Sequence, residues 1–235
     1  MVYIKSSFFY IGYIVSGFIF GLLACLFFPP FPLKLRIKFL SAWPRFTNWL
    51  LDKICGVKVK IEGKENIPKP PFVIVSNHQG QWETFYFQYL FYPLTTILKR
   101  ELLFIPFWGW ALALLKPISI NRNNPKESLN KVLKEGKIKI EEGFLILFFP
   151  EGTRNSFNEV GKYARSAFEV AKRSGVPVLP VVHNSGKCWP AHKFLKFPGN
   201  IILKIGHPLN VGFSTKETSS LVEEWARTEV SKMKE

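Results

Sequence analysis

The chain of 235 residues is poor in cysteine and in acid. Its three cysteines, Cys25, Cys55 and Cys188, are scattered, odd in number and form no Cys-x-x-Cys pair. That argues against a disulfide framework and a cysteine zinc site, and fits a reducing compartment. Asp and Glu total 17 against 32 Lys and Arg, leaving a net charge of +15. A field of that sign draws anions (phosphates, anionic lipid headgroups or nucleic acid) and says little about fold. No Gly-x-Ser-x-Gly elbow occurs, which argues against a serine hydrolase. No nucleic-acid module is recognisable, and the aromatics sit in apolar runs rather than among base-reading cations, so nucleic acid is not an expected partner. The chain also lacks internal repeats, low-complexity tracts and a second-domain linker.

What it has is apolar bulk, 47% of residues with 23 Phe, enough for a sizeable core. The run "FFYIGYIVSGFIFGLLACLFF" at 8–28 holds 21 residues without a charge, long enough to cross a hydrocarbon layer of about 30 Å. Lys5 alone precedes it, whereas Lys34, Arg36, Lys38 and Arg45 follow, so the rest of the chain is expected in the cytoplasm. A cleaved signal peptide would have a shorter apolar region and an Ala-x-Ala site. A lipoprotein site at "LLAC", 22–25, is interrupted by nothing, since the apolar run continues through it. A basic domain tethered in this way sits against an anionic leaflet, making anionic membrane lipids expected partners. Pro29, Pro30 and Pro32 form a joint. Residues 33–51 then mix bulky apolar and cationic side chains. They read as an interfacial helix, as two short helices divided at Pro44, or as a helix packed on the core.

From residue 57 the patterns alternate. Expected strands are 57–62, 72–76, 95–98, 117–120, 144–149, 178–182 and 201–205. Expected helices are 83–91, 102–115, 126–142, 162–174 and 215–234. Gly175 before Pro177 stops a helix, and Ser214 with Glu217 makes a capping box. The expected architecture is α/β: one largely parallel mixed sheet of about seven strands flanked by helices, with an N-terminal transmembrane or interfacial helical anchor. The anchor takes 1–52 and the α/β domain 53–235.

In such sheets functional residues lie past the C-terminal ends of strands. His78 follows the strand 72–76 in "SNHQGQWETF". Residues five apart on one helix cannot meet, but a loop His78 and a first-turn Glu83 can. The carboxylate would then fix the imidazole tautomer and raise the basicity of the other nitrogen. With no serine or cysteine nucleophile beside it, the nucleophile would come from the substrate. At a second strand end stands "FPEGTR", 149–154. Gly152 permits close ligand approach, Thr153 offers a hydroxyl, and Arg154 a planar fork for phosphate. Glu151 is suited to hold Arg154 or to accept a substrate hydroxyl. The segment 104–115 reads as an acyl-channel lining, a membrane-dipping segment or a plain core helix. His183, His192 and His207 lack a ligand set and read as structural, so no metal is expected.

Four blocks in order, "NHQGQWE" at 77–83, "KRELLFIPFWGWALALLKPISINR" at 99–122, "FPEGTR" at 149–154 and "VPVLPVV" at 176–182, resemble the glycerolipid acyltransferase family. The likeness covers roughly 57–209 and is greatest to bacterial 1-acyl-sn-glycerol-3-phosphate acyltransferases. It implies that His78 deprotonates an acceptor hydroxyl, and that the "FPEGTR" block with Arg122 binds the acceptor phosphate; Lys99, at the start of the second block, is a further candidate for that phosphate. The fourth block is implied to lie near the acyl donor. The implied substrates are lysophosphatidic acid and an acyl chain on coenzyme A (acyl-CoA) or on acyl carrier protein (acyl-ACP), the implied product phosphatidic acid. No cofactor is implied, and the implied location is the cytoplasmic side of a bacterial inner membrane. Other acceptors, lyso-ornithine lipid or glycerol-3-phosphate, stay open. Two positions depart from the commonest pattern: Glu83 and Asn121 each stand where the family usually has aspartate.

Overall fold

The computed structural model describes residues 1–212 and 214–233. Seven strands form one sheet: β1 (Val57–Glu62), β2 (Val73–Ser76), β3 (Leu94–Lys99), β4 (Ile118–Ile120), β5 (Leu145–Phe148), β6 (Val178–His183) and β7 (Gly199–Ile205). Their order is β1-β7-β6-β2-β5-β3-β4. The five strands from β6 to β4 are mutually parallel. β7 runs antiparallel to β6, and β1 parallel to β7. The central strands β2, β5 and β6 are buried at every residue, as continuous apolar runs covered on both faces must be. The expected mixed, largely parallel sheet is the one observed.

Among the described residues eight α-helices surround it: α1 (Val2–Phe27), α2 (Leu33–Leu40), α3 (Ala42–Leu50), α4 (Trp82–Leu90), α5 (Trp108–Ala113), α6 (Pro125–Glu141), α7 (Ser166–Ser174) and α8 (Thr215–Lys232). Side chains alternate across the strands and so divide the core. Ile74, Leu147 and Leu179 pack with Trp82 and Phe87 of α4, Trp43 of α3 and Phe9 of α1. Val73, Val75 and Ile146 pack with Val132 of α6, Phe168 of α7 and Val222 of α8. The parallel strands all point their C-terminal ends at one edge, which carries the loops 77–81, 99–107, 121–124 and 149–165.

The N-terminal helix is packed along the domain rather than projecting from it. Its buried residues run from Ser6 to Ala24, and a Cβ at Gly21 would lie 3.3 Å from the Phe107 backbone. The indole of Trp43 donates to Ser16 Oγ at 3.1 Å. The opposite face, with Phe8, Ile11, Val15 and Phe18, is exposed, as are Trp49, Phe104 and Trp110 nearby. An apolar helix of this kind, only 22% buried over its most hydrophobic window, suggests membrane association.

Most element ends fall within two residues of expectation, and three segments differ more. Residues 33–51 break at Ser41, not at Pro44, which lies in the first turn of α3, where an absent amide proton costs nothing. α3 lays Trp43, Thr47 and Leu50 on the core and leaves Trp49 outside, so it is packed on the domain. The expected helix 102–115 is a 3₁₀ segment, Arg100–Phe104, and the short α5. Pro106 and a left-handed Phe107 (φ 60°) separate them. Finally, α7 starts at Ser166 rather than 162. Tyr163 N–H donates to Glu223 and Ala164 N–H to the Pro150 carbonyl, holding those residues out of the helix. The last position expected in α8, residue 234, lies outside the described residues.

Candidate active site

β2 ends at Ser76, and the chain turns through 77–81 before α4 begins at Trp82. That turn brings His78 back onto Glu83: His78 Nδ1 lies 2.8 Å from Glu83 Oε1. The same oxygen accepts the Gln79 and Gly80 amides, both at 2.7 Å, and Oε2 accepts the Ser185 hydroxyl at 2.9 Å. Glu83 is fully buried. Burial opposes its ionisation, but neighbouring His183, the His78 hydrogen bond and the Gly80 amide outweigh it and hold the carboxyl well below its usual range. An ionised carboxylate only accepts, so Nδ1 carries a proton, and in the neutral ring Nε2 keeps its lone pair. Nε2 makes no hydrogen bond among the described residues, and the ring is 13% exposed. It stacks on Phe149, 4.1 Å between centroids. The longer side chain of glutamate therefore reaches the imidazole.

The loop bearing His78 is fastened from three sides. The His78 amide donates to Glu151 Oε1 at 2.8 Å, and its carbonyl accepts the Asn155 amide at 2.8 Å. Gln79 spans from the Phe157 carbonyl to the Gly186 amide. Asn77 and His183 exchange bonds that tie the end of β2 to the end of β6. His183 is fully buried, and burial depresses its pKa; it serves as a clamp between the two strands. None of Asn77, Gln79, Ser185 or Asn155 was singled out by sequence reasoning as a site residue.

Of the two roles expected for Glu151, holding Arg154 is not observed. Its oxygens are engaged by the amides of His78 and Gly161 and by the Asn155 side chain, and it makes no ion pair with Arg154. Burial raises its pKa. Gly152 adopts a left-handed φ of 69°, with nothing near a would-be Cβ, so glycine serves the turn rather than a tight fit. Thr153 is exposed.

Arg154 is half-buried and, like the exposed Arg122, has no hydrogen bond or ion pair among the described residues. Lys99 ends β3, half-exposed, 3.9 Å from Glu101. Because β2 and β5 are neighbours, the His78 and Arg154 loops rise side by side; Arg122, past β4, is three strand spacings from β2, about 14 Å. Arg154 lines a cavity of about 330 Å³ with Gln81, Tyr10 and Tyr13 of α1, and residues 189–194. The fourth sequence block is β6, a wholly buried central strand. Its contribution to the site is the His183 clamp. The segment 104–115 packs against α1 and exposes Phe104 and Trp110.

An oriented imidazole with a free nitrogen, one strand away from an unneutralised guanidinium, is equipped to take a proton from an anionic acceptor. The comparisons with known proteins agree with that chemistry. Residues 58–184 match the family model described as Acyltransferase. The 1-acyl-sn-glycerol-3-phosphate acyltransferase of Pseudomonas aeruginosa is 43% identical over 204 residues, 86% of this chain and 79% of that one. The chain belongs to the acyltransferase family. The Saccharomyces cerevisiae 1-acyl-sn-glycerol-3-phosphate acyltransferase is 29% identical over 72% of this chain and 57% of its own length. A crystal structure of the 1-acyl-sn-glycerophosphate acyltransferase from Thermotoga maritima superposes with a TM-score of 0.80 at 28% identity. It covers 98% of this chain and 95% of that one. The family's chemistry requires an acyl donor and an acceptor nucleophile, the latter matching a dyad with no nucleophile of its own.

Proposed function

We propose that the protein moves an acyl chain from a thioester, acyl-CoA or acyl-ACP, to the free sn-2 hydroxyl of 1-acyl-glycerol-3-phosphate, giving phosphatidic acid. The observation that carries this reading is the His78–Glu83 contact of 2.8 Å one strand away from an unpaired Arg154. His78 Nε2 takes the proton of the acceptor hydroxyl as its oxygen attacks the thioester carbonyl. The tetrahedral intermediate then expels the thiolate, which receives the proton from His78. Glu83 stabilises the imidazolium between these two transfers. Arg154 meets the acceptor phosphate, with Lys99 and Arg122 further along the same rim. The stacked Phe149 limits rotation of the ring.

Both substrates are amphiphiles, and α1 brings the site to them. Its exposed apolar face, with Trp49, Phe104 and Trp110, supports insertion into the inner membrane of a bacterium. The net charge of +15 suits the anionic cytoplasmic leaflet. The test is to incubate the purified protein with labelled acyl thioester and separate lysolipids. Labelled phosphatidic acid from lysophosphatidate is the expected product. Label appearing only on lyso-ornithine lipid or on glycerol-3-phosphate would replace this acceptor assignment.

A further inference from the structure

The segment after β6 touches both halves of the site and is absent from every motif above. It begins by supporting the dyad, through Ser185 on Glu83 and the Gly186 amide on Gln79. It then presses its Trp189 carbonyl against Gly80, where a Cβ would come within 2.7 Å. Beyond Trp189 it lines the same cavity as Arg154, with Lys193 among the lining residues. Lys193 is exposed and has no side-chain partner among the described residues.

This excursion is closed and internally fastened. The Phe197 amide donates to the Cys188 carbonyl at 2.9 Å, making its neck. Inside lies Lys196, 1% exposed. Among the described residues no carboxylate pairs with it. Its ammonium donates to the carbonyls of Lys193 at 2.7 Å and Phe194 at 3.0 Å. It also sits 4.9 Å above the Tyr10 ring and 5.2 Å above the Trp189 ring. Its backbone amide donates to Ser6 of α1 at 2.9 Å. A buried cation satisfied by carbonyls and aromatic faces is costly to place, and so fixes the backbone that surrounds it. Here that backbone includes Lys193 itself. At His192 the chain adopts a left-handed φ of 57°, which a non-glycine residue keeps only where its surroundings impose it.

We infer that residues 189–196 form the second wall of the acceptor site: Lys193 is a specificity-determining residue that meets the acceptor phosphate in the cavity it shares with Arg154, and Lys196 is the positioning residue that holds it there. Only four bonds separate the acceptor oxygen from phosphorus in lysophosphatidate. A phosphate held in the cavity thus stays beside the loop that carries His78 and Gln81. Two cations lining one cavity match a phosphomonoester dianion better than either matches a neutral or zwitterionic headgroup. The inference rests on the acyltransferase reading of the site, but its test does not require turnover.

Calorimetric binding of lysophosphatidate, and separately of uncharged monoacylglycerol, to the full-length protein in nanodiscs is the measurement. Lys193→Met should weaken lysophosphatidate binding about tenfold, as loss of a charged hydrogen bond does, and leave monoacylglycerol binding unchanged. Lys196→Met should do the same through its effect on the loop, raising KM for lysophosphatidate without raising KM for the acyl thioester. Wild-type affinity for lysophosphatidate in Lys193→Met would overturn the inference, as would equal weakening toward both lipids. Should Lys196→Met fail to fold, Lys193→Met still decides. If the wild type binds lysophosphatidate in a Lys193-dependent way yet transfers no acyl chain to it, the second wall stands and the proposed reaction falls.

Discussion

At the end of β2 the loop carrying His78 is held on every side, whereas at the ends of β5, β3 and β4 the cations stand largely free. Glu83 accepts four hydrogen bonds. The His78 amide and carbonyl are both taken, and Asn77 is locked to His183. By contrast Arg154 and Arg122 have no partner among the described residues, and Lys99 has only a long contact to Glu101. The contrast separates two requirements. A general base works through orientation, so its geometry is finished before substrate arrives. A phosphate site works through unspent charge; an internal carboxylate on Arg154 would compete with the ligand. Glu151 illustrates the division, since it spends its oxygens on the His78 loop and leaves Arg154 alone.

The sharpest way to break this comparison is to remove the base. His78→Ala should lower kcat by about 10³-fold, within the range a positioned acid–base group contributes. The protein should remain folded, because the ring is partly exposed and its loop is held by backbone bonds. Turnover within tenfold of wild type would mean that some other group takes the proton.

Next in size is Glu83→Gln. An amide cannot offer a carboxylate's charge to Nδ1–H, so the ring loses its fixed tautomer, and kcat should fall about 10²-fold. Stability supplies an independent check. The folded pKa of Glu83 is depressed, so its contribution is fully present above the unfolded carboxylate value of about 4.3. It is lost as pH falls below that value toward the folded pKa. The Tm of Glu83→Gln should therefore lie below that of wild type at pH 7, and the gap should shrink below about pH 4. A gap that stays constant with pH would show that the folded pKa of Glu83 is not depressed.

How far these roles can be read from the chain depends on how local they are. His78 and Glu83 are five residues apart, and a strand end followed by a helix start brings them together with no other information. All seven strands are likewise visible, since runs such as "VIVS" and "LILF" are apolar wherever they pack. The supports are not legible in this way. Ser185 is 102 residues from Glu83, Gly186 is 107 from Gln79, and Glu151 is 73 from His78. Glu151 reads as a partner for Arg154 or for a substrate hydroxyl because only the neighbour three residues away is apparent in sequence. The helix 102–115 failed for a related reason. Its apolar run hid Pro106, and packing against α1 decided the outcome.

On the cationic side the expected effects are smaller and fall on binding. Arg154→Ala should raise KM for lysophosphatidate about tenfold with a lesser effect on kcat, the loss appropriate to a charge-assisted hydrogen bond. An unchanged KM would move the phosphate away from β5 and leave the unpaired guanidinium without its proposed use.

The smallest effect is expected at Arg122, and it tests how far along the rim the phosphate reaches. Sequence likeness groups Arg122 with Arg154, but the sheet order separates them by β3. Arg122 is exposed and about 14 Å from the β2 line, where charges in water are screened beyond about 8 Å at physiological salt. Arg122→Ala should thus raise KM by no more than about threefold, and the change should shrink further as salt is added. If its effect equals that of Arg154→Ala and persists in high salt, Arg122 contacts the phosphate directly. The anion would then span β5 to β4, and the division between a finished base and a single waiting guanidinium would give way to a shared two-arginine clamp.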